Sequence, residues 1–215
     1  MTYNIGDIGP AGGYLFYDKK NQGGGWRYLE AAPADLRVIN GIPSVDAKAP
    51  GYADAPATYV FGYYRKNAFA PNLFVNGTTS FRETDCTSKD LKEGFFNTKA
   101  LVSAMGDEAF ASLSGPRKTG FYAARLCSVL EHTVDGVTFG GWFLPSMNEL
   151  KRMYENIFKA GIGDFANAIY WSSSECAKDA SICLFNDFGR EEGEKQNTCN
   201  MIRSSTFRIR PVRMV

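Results

Sequence analysis

The sequence is poor in the side chains on which most catalytic and metal centres depend. It has one histidine, His132, so there is no His-rich metal triad, and Ser-His catalysis would rest entirely on that imidazole. Its five cysteines form no C-x-x-C pair and no readable disulfide framework. Its serines lack the G-x-S-x-G elbow of a hydrolase nucleophile. These absences argue against an enzyme, and we expect neither a cofactor nor a metal ion.

Long apolar runs and an excess of charge are also absent. The formal net charge is +1, which creates no long-range field for nucleic acid or anionic membranes. No run of about 18 apolar residues predicts a transmembrane helix, and no apolar signal region follows Met1. A secreted or lipid-anchored protein whose leader had been removed would begin in the same way. A location at the cell surface or outside the cell is therefore compatible with the sequence.

Turn-forming and aromatic residues, in contrast, are well represented. The 22 glycines and 9 prolines predict many turns instead of long regular elements. A hydrophobic fraction of 44%, with 14% aromatic residues, is enough for a sizeable core. At this length of 215 residues we predict a single domain spanning residues 1–215.

The stretch 141–150 is the clearest structural signal in the chain. Ser146 and Glu149 have the spacing of a capping box, in which each side chain bonds the other residue's backbone N–H. A helix is therefore predicted to begin at Ser146 and to end near Gly161 and Gly163. Its apolar stripe at helical spacing consists of Leu150, Met153, Tyr154 and Ile157.

The remaining local signals predict a mixture of hairpins and short helices. They comprise a hairpin of 14–17 and 26–31, helices at 97–105 and 121–131, a turn at Asp135-Gly136, and short strands from 167 to 213. This order lacks the βαβ alternation of a parallel sheet. The predicted fold class is therefore α+β.

Several buried features can be predicted from local composition. Residues 35–92 form a long, weakly periodic insertion whose aromatic side chains favour core packing over an exposed platform. These are Tyr59, Phe61, Tyr63, Tyr64, Phe69, Phe74 and Phe81. Cys127 lies on the apolar face of its helix and is predicted to be a small buried hydrophobe. The serines after Trp171 are expected to satisfy backbone groups beside that buried ring.

The order of motifs along the chain resembles one known family. The motifs are WFLPS at 142–146, EL at 149–150, MY at 153–154, YWSSSE at 170–175 and RIRPVR at 208–213. They resemble the family typified by the C-terminal domain of the Legionella collagen-like protein. Within it, the chain is most similar to treponeme surface proteins, some of which are variable proteins of diversity-generating retroelements. IGDIGPAGG at 5–13, GYY at 62–64 and NLFVNG at 72–77 fit the same group.

The resemblance implies a structure and a function. It implies a C-type-lectin-like fold with short helices, small antiparallel sheets and long ordered loops, in which the first and last strands pair. Residues 208–212 would then lie against the N-terminal hairpin. It also implies that segment 176–206 is the variable part, whose exposed side chains contact a protein or glycan ligand.

Candidate ligand-binding residues follow from the pattern within 176–206. If Ala180, Ile182 and Leu184 point inward on a strand, then the residues between them point outward by the period of two. The residues predicted to bind ligand are Lys178, Asp179, Ser181, Cys183, Asn186, Asp187, Arg190, Glu192, Asn197, Asn200 and Arg203. Met201 or Phe207 could add an apolar contact. A register slip of one residue would turn all of them inward.

Other functions on the same scaffold stay open at this point. A calcium-dependent lectin is disfavoured, because Asn186-Asp187 matches only part of the usual calcium-binding motifs and a calcium ion needs six to eight oxygen ligands. A formylglycine-generating enzyme would need a reactive cysteine pair, for which Cys183 and Cys199 are candidates. A bridge between two of the three cysteines in 176–199 and free thiols are both compatible with the sequence. A purely structural surface domain is the fourth alternative.

Overall fold

The computed structural model describes residues 2–63, 90–112, 115–176, 179–189 and 198–215. At positions 176, 179–186 and 198–200 it describes the backbone alone. The helices are α1 (Glu93–Met105), α2 (Ala123–Ser128) and α3 (Met147–Met153), with a 3₁₀ turn at Gly23–Gly25 and a π-helical turn at Tyr154–Phe158. The strands are β1 (Tyr14–Asp18), β2 (Tyr28–Ala31), β3 (Arg37–Ile39), β4 (Ile42–Ser44), β5 (Tyr59–Val60), β6 (Ala109–Phe110), β7 (Lys118–Thr119), β8 (His132–Val134), β9 (Val137–Phe139), β10 (Ile169–Cys176), β11 (Asp179–Asp187), β12 (Thr198–Ile202), β13 (Thr206–Phe207) and β14 (Val212–Met214).

The beginning and the end of the chain share one sheet, in the order β1-β2-β14. Strand β2 pairs antiparallel with β1, which confirms the predicted N-terminal hairpin. On its other side β2 pairs with Val212–Met214, slightly later in the chain than the expected 208–212. Arg208 instead forms a bridge with Tyr170, because the two residues before it, Thr206 and Phe207 of β13, pair with β5.

A second three-stranded sheet, in the order β10-β11-β12, contains the C-terminal segment. Both of its pairings are antiparallel, and two irregularities interrupt the register of β10 and β11. The other strands form two-stranded antiparallel ladders, and two isolated bridges, Val60 to Tyr122 and Tyr170 to Arg208, are parallel. Short helices beside small antiparallel sheets confirm the α+β class.

The helices lie where the sequence predicts them, but their lengths differ from the predicted lengths. Helix α1 ends before Gly106 as predicted but begins four residues earlier than the expected 97. Helix α2 is shorter than the predicted 121–131. It stops early because His132 already pairs with Phe139 in the β8–β9 hairpin. The turn of that hairpin is the predicted Asp135-Gly136, and both residues have positive φ.

The capping box at Ser146 joins two helices. The Ser146 N–H donates to Glu149 Oε2 at 2.6 Å, and the Glu149 N–H donates to Ser146 Oγ at 3.3 Å. The second carboxylate oxygen, Oε1, accepts from the Lys92 N–H at 2.8 Å, at the start of α1. A Cβ on Gly94 would lie 2.2 Å from Glu149 Oε2, so α1 can approach this carboxylate only through a glycine. The motif predicted as a local cap therefore also fixes the position of α1.

Most of the predicted core positions that the structure describes are buried. Leu150 and Met153 of α3 and Ile157 of the following π-helical turn are fully buried in the core beside the terminal sheet, whereas Tyr154 is only partly buried. Tyr59, Phe61 and Tyr63 are buried, which confirms core packing for these three aromatic residues. Tyr64, Phe69, Phe74 and Phe81 lie outside the described residues. Cys127 is buried, and its burial raises the pKa of the thiol well above its usual value.

The RIRPVR motif supplies cations to buried carboxylates. Arg210 is fully buried, and its Nε donates to Asp35 Oδ1 at 2.9 Å. Arg208 Nη1 and the Tyr170 hydroxyl both donate to Asp35 Oδ2, at 2.9 and 3.0 Å. The remaining Arg210 donors reach the carbonyls of Ala32, Gly163 and Asp164. The cluster connects three distant parts of the chain around one ionic centre.

The glycine-rich N-terminal motif surrounds a second buried carboxylate, Glu30. Its Oε1 accepts from the N–H groups of Ala11 and Gly13, at 3.0 and 2.9 Å, while Oε2 accepts from Arg213 at 3.3 Å. A Cβ on Gly13 would lie 2.0 Å from the Ala31 carbonyl oxygen, and one on Gly9 would lie 2.5 Å from Glu30 Cδ. These glycines are therefore required by close approach to β2.

We expect Glu149 to make stability depend on pH. Burial raises the pKa of Glu149 from its usual 4.5 to about 7, although two backbone N–H donors oppose the shift. Because the folded state then binds the proton more tightly than the unfolded chain, the free energy of unfolding should fall as pH rises between these values. The expected decrease is roughly 2–3 kcal/mol, and it should largely disappear in Glu149→Gln.

Urea unfolding at pH 5, 6, 7 and 8 measures this effect. Glu155→Gln is the matched control, since Glu155 follows on the same helical segment but its side chain is half exposed and paired with Arg152. In the control, the free energy of unfolding should depend on pH as steeply as it does in the wild type. Equal slopes for Glu149→Gln and the wild type would contradict the expectation.

Candidate functional site

The predicted ligand-binding residues are distributed over strands β11 and β12 and the turns beside them. Lys178, Arg190, Glu192 and Asn197 lie outside the described residues. Asp179, Ser181, Cys183 and Asn186 lie on β11, and Asn200 lies on β12. Asp187 is the last residue of β11, and Arg203 follows β12. All of the described candidates therefore belong to one sheet or to the turns at its ends.

Backbone register shows which of these positions are neighbours. Cys183 pairs with Glu175 on one side and with Met201 on the other. Asn200 pairs with Leu184, and Asn186 pairs with both Tyr170 and Thr198. The central strand β11 thus carries most of the candidates between two partner strands. Tertiary pairing brings Asn200 beside residues that are sixteen positions earlier in sequence.

The turn after β11 is held by one polar and one aromatic residue. Asp187 Oδ1 accepts from the Gly189 N–H at 3.0 Å, an Asx-type bond that closes the turn. Phe188 is buried and packs against Tyr154, Phe158, Phe165 and Tyr170. Phe188 therefore anchors this turn to the core.

Arg203 was expected at the exposed rim, and that expectation is wrong. Its side chain is buried and forms an ion pair with Glu175, which is buried as well. The guanidinium lies 5.2 Å from the centre of the Phe61 ring, and the Arg203 carbonyl accepts from the Phe61 N–H at 3.1 Å. The buried carboxylate on β10 requires a cation, and Arg203 supplies it. Arg203 therefore fastens the end of the segment to the core.

The serines after Trp171 are buried and bonded to the backbone around them. Ser173 Oγ donates to the Pro145 carbonyl at 3.2 Å and accepts from Asn97 Nδ2 at 3.1 Å. Ser174 Oγ accepts from the Met147 N–H at 3.0 Å, at the start of α3. Their predicted role in satisfying polar groups beside the buried Trp171 is confirmed. The residues lie in strand β10, whose pairing with β11 is irregular at this point.

Strand β12 presents apolar surface at the edge of the sheet. Met201 and Ile202 are 37% and 41% exposed. Within the described residues β12 pairs with β11 alone and is the last strand of its sheet. Met201 was recognised in the sequence as a possible apolar contact. Ile202 was missed, because a lone β-branched residue in a strand pattern usually indicates core.

A groove adjoins this edge where the chain leaves β12. Its volume is about 400 Å³, and it lies between β5, the β6–β7 hairpin and the turn leading to β13. Its lining includes the side chains of Thr58, Arg117, Thr119, Phe121, Ser204 and Thr206. Sequence reasoning missed the groove, since it assigned Phe121 to a helix. The groove forms only because β13 pairs with β5.

Metal and redox chemistry have few candidate groups in the described part of the chain. No cluster of three or more His, Cys, Asp or Glu side chains with metal-binding geometry occurs among the described residues. His132 is partly buried in β8, where desolvation lowers its pKa and the nearby Asp46 carboxylate opposes the shift. The side chains of Cys183 and Cys199 are not among those described.

Comparison of the chain with protein-family models finds no match, and comparison with curated proteins finds none either. Within the described residues, no helix has both the length and the apolar character needed to cross a membrane.

Proposed function

We propose that this protein is a non-enzymatic recognition module displayed at the cell surface, and that it binds a protein or glycan through segment 176–206. In this proposal the chain has a C-type-lectin-like fold and is related to the treponeme variable proteins that its motifs resemble. A lipid anchor on a removed leader would attach it to the outer membrane. Its ligand would contact the β10-β11-β12 sheet and the turns at its ends.

One observation carries the proposal: the segment is fastened at both ends by buried bonds, while its edge strand is exposed. At its entrance Trp171, Ser173 and Ser174 are buried and bonded to other parts of the core. At its exit Arg203 is paired with Glu175. Loops and strand edges held on a rigid support are the usual location of recognition residues. Side chains between two fixed ends can vary with little effect on the fold.

The arrangement of strands supports the fold assignment within the proposal. The first hairpin and the last strand form one sheet, and a helix that begins at a capping box packs beside it. The second sheet follows that helix in sequence and contains the candidate segment. This order is what the resemblance implies, and an experimental structure with a distant first and last strand would contradict it.

We expect apolar-to-charged changes on the exposed edge to abolish ligand binding. The test screens the full chain against arrays of glycans and purified extracellular proteins, and then compares variants on each ligand found. Met201→Glu and Ile202→Glu together should weaken binding at least about tenfold, because charge would oppose burial of this edge. Ile42→Glu is the control, since Ile42 is highly exposed on the β3–β4 hairpin, outside the β10-β11-β12 sheet.

Two additional experiments distinguish the alternative functions from the proposed one. Binding that is lost with a chelator would indicate a calcium-dependent lectin, and activity lost on thiol alkylation would indicate a formylglycine-type enzyme. The proposal expects neither treatment to change binding. It is contradicted if no ligand is found, or if Ile42→Glu weakens binding as much as the pair on β12; the first result would favour a structural surface domain.

A further inference from the structure

The groove beside the end of segment 176–206 has a preformed floor. Thr206 and Phe207 of β13 pair with Val60 and Tyr59 of β5, and Val60 also bridges to Tyr122. The Phe61 N–H donates to the Arg203 carbonyl, which fixes the turn on one wall. A volume of about 400 Å³ lies in the range of small-molecule sites. A ligand entering the groove would therefore meet walls that are already in place.

The charge in this groove is positive. Arg117 is the one charged side chain among the described lining residues, and it is exposed. No carboxylate of the described residues forms an ion pair with it, and the Asp107 carboxylate, in the turn before β6, lies 3.7 Å from Arg125 Nε. A guanidinium presents parallel donors that match a carboxylate in bidentate geometry. The groove is therefore suited to a ligand that carries a carboxylate.

The other lining groups favour a sugar over a peptide. The hydroxyls of Thr58, Thr119, Ser204 and Thr206 can each donate and accept, as the hydroxyls of a sugar also do. Thr119 Oγ1 already accepts from the Phe121 N–H at 3.0 Å, which leaves its own O–H to donate. Phe121 is 45% exposed and offers an apolar ring surface at the rim. An extended peptide would instead be recognised mainly through a strand edge such as that of β12, and neither Met201 nor Ile202 lines the groove.

We propose that this groove binds a carboxylated sugar, such as a sialic or uronic acid, with its carboxylate on Arg117 and its ring against Phe121. The inference rests on the proposed function, because it assigns the groove a ligand class within the same recognition surface. Arg117 and Phe121 lie outside 176–206. The carboxylate site would therefore be kept when that segment changes, and the variable residues would select what is attached to the acidic sugar.

The test titrates the full chain with four probes and measures binding by saturation-transfer NMR. The probes are 3′-sialyllactose and glucuronic acid, each with its neutral counterpart, lactose and glucose. We expect each acidic sugar to bind at least about tenfold more tightly than its neutral counterpart, as loss of a charge-assisted pair implies. Arg117→Gln should remove this preference, and Phe121→Ser should weaken both members of each pair.

Lys118→Gln is the matched control for charge. Lys118 is the next residue of the same hairpin, but its Nζ lies 5.1 Å from the centre of the Phe110 ring and it does not line the groove. The control should keep the preference for acidic sugars. Circular dichroism and thermal unfolding establish that each variant is folded. Because Arg117 and Lys118 are both exposed, neither substitution should affect the core.

Three results would overturn the inference. One is the absence of any preference for the acidic sugars, and another is an equal effect of Arg117→Gln and Lys118→Gln. The third is tighter binding of an acetylated Glu-Phe peptide than of either acidic sugar, lost in Arg117→Gln, which would assign the groove to acidic peptides. If array ligands are lost with the Met201 and Ile202 variants while neither acidic sugar is preferred, the proposed function stands and the groove assignment fails.

Discussion

Replacement of Arg210 by methionine is expected to lower the free energy of unfolding by about 3–5 kcal/mol. Arg210 is fully buried, and its guanidinium donates to Asp35 and to three backbone carbonyls. Methionine fills much of the same volume but leaves the Asp35 carboxylate with less compensation in a buried position. Removing one partner of a buried ion pair exposes the full desolvation penalty of the other. Urea unfolding at pH 7 measures the change.

Arg152→Met is the matched control for this prediction. Arg152 also pairs with a carboxylate, Glu155, but the two side chains are 49% and 51% exposed. The change should therefore stay within about 0.5 kcal/mol. Combining Arg210→Met with Asp35→Leu should recover part of the lost stability, because the uncompensated charge is removed. Equal effects of Arg210→Met and Arg152→Met would show that the buried cluster does not stabilise the fold.

Gly13→Ala is the second change with a large expected effect. The new Cβ would lie 2.0 Å from the Ala31 carbonyl oxygen, and a rotamer change can move neither the Cβ nor the backbone carbonyl. Strand β1 would have to separate from β2 at its first pair, Tyr14 and Ala31. The bond from the Gly13 N–H to Glu30 would be disturbed as well. We expect a loss of about 3 kcal/mol, at the upper end of overpacking effects.

Gly140→Ala is the control for the glycine prediction. A Cβ there meets nothing within 4 Å, and the φ of Gly140 is not positive. Alanine should therefore be neutral or should stabilise by about 0.4–1 kcal/mol, through the lower entropy of the unfolded chain. Thermal and urea unfolding compare the two variants directly. If Gly13→Ala is tolerated as well as Gly140→Ala, the close approach of β1 to β2 is contradicted.

Local chemistry predicted the elements whose signals lie within a few residues of one another. The capping box at Ser146, the Gly106 end of α1 and the Asp135-Gly136 turn were all confirmed. Each depends on a side chain or glycine that bonds or relieves its own neighbours, so the sequence contains the whole interaction. The extent of α2 could not be predicted in this way, because pairing of β8 with β9 decides where it stops.

In the candidate site, too, local signals predicted the strands, but they did not predict the tertiary contacts. The sequence indicated a strand-rich segment at 176–206, and strands β11 and β12 occupy it. It could not indicate that Arg203 is buried. The alternation of inward and outward side chains along one strand contains no information about its partner, Glu175, which is buried on another strand. Nor could it indicate the groove at Arg117, since three segments that are far apart in sequence form its walls.

By itself, the sequence determined the turn at Asp135-Gly136, the helix cap at Ser146, several of the apolar core residues and the α+β order of elements. Tertiary structure alone decided which charges are buried and which surface faces outward. In the sequence alone, nothing distinguishes three buried carboxylates, Asp35, Glu30 and Glu175, from ordinary surface residues. In the structure they are paired with Arg210, Arg213 and Arg203, respectively. The reason is physical: a helix cap or turn is satisfied by atoms within a few residues, whereas a buried charge is stabilised only by a partner that folding brings from a distant part of the chain.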